Sequence, residues 1–299
     1  MRMRLDALLV CLGLSLPAGA ETGPADCAAL VAAVQTVSGY AVTAPPAGAD
    51  AGWCVLDRAV LRAASGSEVA PEFSAEGLRL RGTEAKGVAV SLEVQVTGLR
   101  LRSKAGVQAG EDRLRTIFRL QSADIGLRVI LNPATDTLEI REGLLRLSGG
   151  TELVLSADIK GGGLTLASLA GGRLTALDLE WRNDGRLPRP LMELAGQRLP
   201  AAPNGTGSVE AARLALGDLI ATLPETVLSG DDRAALARMV ASLPQGRGRL
   251  RLSLTASEGI GAARLLVAGL SEDPRGAAAL ERLLSGVRLT AAWRPGLAP

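Results

Sequence analysis

One arrangement of apolar and polar positions returns along this chain: a glycine, an apolar residue, then strict alternation. It reads GLRLR at 77–81 and again at 98–102, GLRVI at 126–130, GLLRL at 143–147, GLTLA at 163–167, GRLRL at 248–252 and GVRLT at 286–290. A glycine opening a period-two run predicts a turn or bulge followed by a strand. Glycine enters left-handed backbone conformations without steric penalty, and successive strand side chains point to opposite faces. The expected fold class is α+β and predominantly antiparallel β, a long curved β-meander sheet with helices packed on its apolar face.

The alternation also assigns the faces. Arg79, Arg81, Arg100, Arg102, Arg128 and Arg146 fall opposite the leucines, so one face is wet and one dry. Val88, Val90, Leu92, Val94 and Val96 alternate cleanly. Thr97 and Gly98 then shift the register before Leu99 and Leu101, as a β-bulge does. Upstream, the alanine-rich stretch Ala25 to Thr36 predicts a helix, residues 41–52 a proline- and glycine-rich loop, and Trp53 to Ala63 one strand. Phe118 and Leu120 open the run that Ile125, Leu127, Val129 and Leu131 continue, and glycines at 149–150, 161–163 and 171–172 punctuate the meander.

After Gly185 the spacing turns helical. Helices are expected over Pro190 to Leu199, over Val209 to Leu223 with Leu216, Leu219, Ile220 and Leu223 as its stripe, and from the N-cap Asp231 to Leu243. Strands return over Arg247 to Ala256 and Ala262 to Gly269, a helix runs from Asp273 to about Ser285, and Val287 to Trp293 is the last strand. RLTA before Trp181-Arg182 is echoed by RLTA before Trp293-Arg294, either a decayed duplication or chance similarity. The expected organisation is a signal at 1–20, a helix plus meander at 21–185, a helical segment at 186–244 and a β-β-α-β return at 245–299, all of 21–299 forming one continuous domain.

The N-terminus reads as an export signal. Arg2 and Arg4 supply positive charge, Ala7 to Leu16 is an apolar core, and Ala18-Gly19-Ala20 is a cleavage site before Glu21. That core is about half the roughly 20 residues a bilayer span needs. Cleavage between Ala20 and Glu21 places the mature chain in the periplasm without a transmembrane segment. Cys27 and Cys54 remain after cleavage, and an even pair in an oxidising compartment predicts a disulfide.

Composition excludes more chemistry than it suggests. The chain contains no histidine, which removes Ser-His-Asp and Cys-His nucleophilic sites and histidine-ligated zinc. Its net charge is +2 and aromatics are 2% of residues, so neither an electrostatic footprint nor stacking platforms for nucleic acid are present. The lysines, Lys86, Lys104 and Lys160, lack the S-x-x-K spacing. Glu111-Asp112 and Asp231-Asp232 are each followed by arginine and read as a solvated turn and a helix cap. No cofactor, metal set or catalytic residue is expected. Arginines mixed with Glu93, Glu139 and Glu152 predict a salt-laced outer face. The apolar face is the functional candidate: if the helices leave part of it open, a groove lined by Val90, Leu92, Val94, Leu127 and Val129 suits an acyl chain.

The exported N-terminus, the Gly-Leu-x-Leu strands and the helical segment after them together resemble AsmA-type periplasmic proteins and related envelope proteins of Gram-negative bacteria. The residues carrying this are GLRLRG (77–82), GLRLRS (98–103), LTALDLEWRNDG (174–185) and ALARMVASLPQGRGRLRLSL (235–254). AsmA-type proteins usually keep an N-terminal anchor, which the short apolar core here does not supply. The resemblance implies envelope maintenance or lipid handling without an enzymatic step. The expected function is therefore a non-enzymatic periplasmic protein binding lipid or an envelope partner. A closed-core scaffolding protein and a carboxylate-dependent hydrolase are the alternatives.

Overall fold

The computed structural model describes residues 23–24, 26–50, 52–64, 72–85, 88–102, 121–163, 171–186, 188–197, 208–261, 281 and 283–296. The expected signal peptide and its Ala20–Glu21 junction, the run at Phe118 and Leu120, and the strand at 262–269 lie outside them. So does most of the helix expected from Asp273 to Ser285, of which positions 281 and 283 are helical.

The period-two runs are strands and pair in the order they occur, except the run at 163–167, of which 164–167 lie outside the described residues. Long antiparallel strands β8 (Val88–Arg102), β9 (Ala123–Asn132), β10 (Thr137–Leu147), β11 (Glu152–Lys160), β12 (Arg173–Asn183), β13 (Gly248–Gly261) and β14 (Val287–Pro295) lie side by side as a meander. Register aligns the apolar positions of successive strands. One apolar row crosses the sheet from β7 (Gly77–Ala85) to β14 as Leu78, Val96, Ile125, Leu145, Leu153, Trp181, Leu250 and Trp293, each directly opposite the next. A slip of one residue in any strand would throw its leucines onto the wet face.

At the N-terminal end the sheet creases and forks. Residues 53–63 are expected as one strand but form two, β4 (Trp53–Asp57) and β5 (Val60–Ala63), because Arg58 takes a left-handed φ of 52°. The next segment breaks at the same level, between β6 (Glu72–Ser74) and β7. The crease ends in the bulge at Gly98 (φ 60°), where the pairing of β8 with β9 jumps from Val96 to Leu99. Hydrogen bonds tie the three breaks together. Arg58 donates its backbone N–H to Glu76, Ala75 to Ala59, and Glu76 to Thr97, at 2.8–3.0 Å. β8 therefore pairs with β7 along Val88 to Thr97 and with β6 along Arg100 to Arg102. The loop expected at 41–52 is instead two strands, β2 (Tyr40–Thr43) on β5 and β3 (Pro46–Asp50) on β4. An edge position tolerates Pro46, which has no N–H to give. A short strand, β1 (Gly23–Pro24), borders β7.

The fork is filled by α1 (Cys27–Ser38), capped by Asp26, whose carboxylate accepts the Ala29 N–H at 2.6 Å. Leu30 and Val34 bury against Leu56, Leu78, Leu80, Leu92 and Val94. Gly82 permits this approach, since a Cβ there would stand 2.9 Å from Leu30 Cδ2 and 2.4 Å from the Ser91 carbonyl oxygen. Cys27 and Cys54 stand at disulfide distance, Cα atoms 5.2 Å apart, pinning α1 to β4.

Between β12 and β13 the chain forms α2 (Pro188–Gln197), α3 (Ser208–Thr222) and α4 (Gly230–Ser242). α4 is capped by Ser229, not Asp231: the Ser229 hydroxyl accepts the Asp232 N–H. Leu236 and Val240 pack with Ile220, Leu228, Leu250 and Trp293 into a second cluster, so α4 covers the C-terminal end of the apolar face. On α3, Ile220 is buried, while Leu216 and Leu219 of the expected stripe are exposed. The outer edge of β14 is closed by the chain entering α4. Leu289 donates to the Val227 carbonyl at 2.7 Å, and Ala291 to Asp232 Oδ1 at 2.7 Å. Both edge amides are thereby withheld from pairing with another chain.

Candidate functional site

Four of the five residues expected to line a groove belong to the core cluster at α1 or pack against it. Leu92, Val94 and Val129 are buried in the cluster beneath α1, Leu127 packs partly buried against it, and Val90 is half-buried. The reason is the fork, which wraps two wings of sheet and a helix around this part of the apolar face. The half-buried apolar surface lies further along. Leu145 on β10, Leu153 and Leu155 on β11, and Leu177 and Leu179 on β12 are neighbours across the ladder, with Leu153 opposite Leu145 and Leu155 opposite Leu179. All five are half-buried, and none belongs to the buried clusters at either end. α1 packs against β2 and β7, and α4 against β14. The strip lies on the strands between those helices.

The opposite face is laced with ion pairs. Glu72 sits between Arg62 and Arg102, Glu93 meets Arg81, Glu152 meets Arg146 at 2.8 Å, and Glu180 takes both Arg249 at 3.0 Å and Arg251 at 2.7 Å. Arg79 and Arg81 flank the Trp53 ring, their guanidinium carbons 5.0 and 4.5 Å from its centroid. Glu180 thus serves as a cross-strand ion-pair partner. Asp178, also on that face, is exposed.

At one end of this face the charge balance breaks. Arg182, Arg249 and Arg294 stand directly opposite one another on β12, β13 and β14. With Arg186, Arg247 and Asp184 they line a cleft of about 650 Å³, whose remaining wall includes Gly150, Gly248 and Gly296. The echoed Trp-Arg pairs build it. Trp181 and Trp293 turn inward on either side of Leu250, so Arg182 and Arg294 turn outward on either side of Arg249. The echo was visible in the sequence. Its meaning was not, because the pairing of β13 between the two echoed strands is a tertiary fact.

Among the described residues no group of histidine, cysteine, aspartate and glutamate is placed to hold a metal ion. Among them, too, no helix is long and apolar enough to cross a membrane. Comparison with protein-family models, with curated proteins and with solved structures returns no match to this chain.

Proposed function

We propose that this chain is an exported, non-enzymatic protein of the Gram-negative periplasm that holds an acyl chain of an envelope lipid against its apolar sheet face. The observation that carries this reading is the strip of Leu145, Leu153, Leu155, Leu177 and Leu179, half-buried between two helix-covered clusters. Apolar area of this kind is favourable to remove from water at about 25 cal/mol per Å². An extended hydrocarbon lying across the strands does so without needing hydrogen bonds from a backbone already paired in the sheet. Export is supported by the charged, apolar and A-x-A succession at 2–20 and by a cysteine pair at disulfide distance. A role without catalysis is supported by the histidine-free composition and by glutamates engaged with arginines. The resemblance to AsmA-type proteins points the same way.

The test is native mass spectrometry on protein purified from its own envelope under conditions that keep lipid on a known carrier. Co-purified lipid is expected, and its loss in Leu155→Gln/Leu179→Gln. Recovery of unliganded protein alone would overturn the reading and return the chain to a scaffolding role.

A further inference from the structure

We infer that the arginine rank on β12, β13 and β14 is a binding site for phosphoryl groups. It is separate from the acyl-chain reading and lies on the opposite face of the sheet.

The argument begins with one row of the ladder. Read across the strands it runs Asp124, Arg146, Glu152, Arg182, Arg249, Arg294. The signs alternate for four strands and then become three arginines in succession. Like charges directly opposite one another on neighbouring strands are destabilising. Along this face Glu72, Glu93 and Glu152 each meet an arginine. Here Glu152 is taken by Arg146 and Glu180 is shared by Arg249 and Arg251. Among the described residues Arg182, Arg247 and Arg294 have no carboxylate partner. The excess is local, because the whole chain carries only +2.

Geometry selects the class of anion. Neighbouring strands are about 4.8 Å apart, so the rank spans about 10 Å and offers the guanidinium forks of Arg182 and Arg294 on either side of Arg249, whose Nε is engaged by Glu180 at 3.0 Å. That spacing suits a ligand with two phosphoryl groups, one held by the fork of Arg182 and one by that of Arg294. Arg186 and Arg247 extend the rank past the strand ends, and the glycines leave the cleft open. Asp184 offsets part of the charge, its Oδ2 lying 3.7 Å from Arg186 Nε while its Oδ1 accepts from the Thr151 hydroxyl at 2.6 Å and the Arg186 N–H at 3.0 Å, which leaves the excess at Arg182, Arg247 and Arg294.

Calorimetric titration of the full chain with pyrophosphate and with inorganic phosphate tests the site. Flotation with phosphatidylcholine vesicles, with and without phosphatidylglycerol, separates the sources. Binding of pyrophosphate without vesicle binding means a free phosphorylated compound, and binding only to the anionic vesicles means a lipid headgroup. In either case Arg182→Gln/Arg294→Gln is expected to weaken binding at least tenfold, while Arg288→Gln, on β14 outside the cleft, changes it less than twofold. The double variant should melt no lower than the parent without anion, because repulsion is relieved, and should lose the rise in Tm that the anion gives the parent. Arg247→Gln, beyond the strands, provides a second variant that leaves the ladder untouched and is expected to weaken binding severalfold. Absence of binding to every probe, or undiminished binding by both the double variant and Arg247→Gln, would overturn the site. Loss of lipid in Leu155→Gln/Leu179→Gln with phosphate binding intact would separate the two proposals.

Discussion

Trp181 and Trp293 stand opposite the same residue, Leu250, from the two strands that flank it. The two indoles differ in burial, however. Trp293 is 8% exposed and part of the C-terminal cluster, whereas Trp181 is half-buried at its margin. Trp293→Ala is therefore expected to destabilise the protein by about 3–5 kcal/mol, the range for removing a buried aromatic side chain. Trp181→Ala should lose less. Urea unfolding followed by circular dichroism measures both, and equal losses would contradict the difference in packing.

Asp232 closes the edge of β14 and also meets Ser229 at the start of α4. Asp232→Ala leaves the Ala291 N–H without its acceptor and is expected to cost about 1–3 kcal/mol. Asp232→Asn keeps an oxygen in place and should retain most of the stability. Ser229→Ala removes the helix cap, for about 1 kcal/mol. Because the two side chains touch, the double variant should deviate from additivity. Light scattering gives a further check, since an unclosed edge strand favours association between copies.

Gly98 carries the bulge that ends the crease, and Asp124 Oδ1 accepts its N–H at 2.9 Å. Gly98→Ala places a Cβ on a left-handed residue, expected to cost about 1–2 kcal/mol. Displacing the exposed Glu76 side chain, which overlies Gly98, adds little. Asp124→Ala should speed amide hydrogen exchange at Gly98 in particular.

The bridge between Cys27 and Cys54 closes a loop with a sequence separation of 27. Its removal in Cys27→Ser/Cys54→Ser is expected to cost about 2–4 kcal/mol on the chain-entropy model. Intact mass under non-reducing conditions should fall short of the reduced mass by two hydrogens. Two free thiols in oxidised material would contradict the pairing.

Local patterns carried much of the fold. The alternation of Val88 to Val96, the bulge at Gly98 and the helical spacing after Gly185 each follow from backbone sterics and one-sided burial. The misses share another cause. Trp53 to Ala63 reads as one strand, since no glycine or proline marks the break at Arg58. That residue is held left-handed by a hydrogen bond to Glu76, a partner distant in sequence. Residues 41–52 read as a loop because glycine and proline dominate them, yet pairing with β4 and β5 extends most of them. Asp231 reads as a cap because an aspartate precedes the helical spacing, yet Ser229 caps the helix and Asp232 turns to the β14 edge.

A meander with a leucine face and an arginine face, a pairing of two cysteines and a composition without histidine are legible in the order of residues along the chain. Those properties depend on residue type and period alone. Packing in three dimensions set where each face is covered. The crease wraps the expected groove residues around α1, α4 takes the far end, and the half-buried leucines fall on β10–β12 between them. It also decided that the repeated Trp-Arg pairs flank β13 and bring three arginines into one row. Cross-strand register sets that alignment, and register is fixed by packing over the whole sheet, not by any one strand.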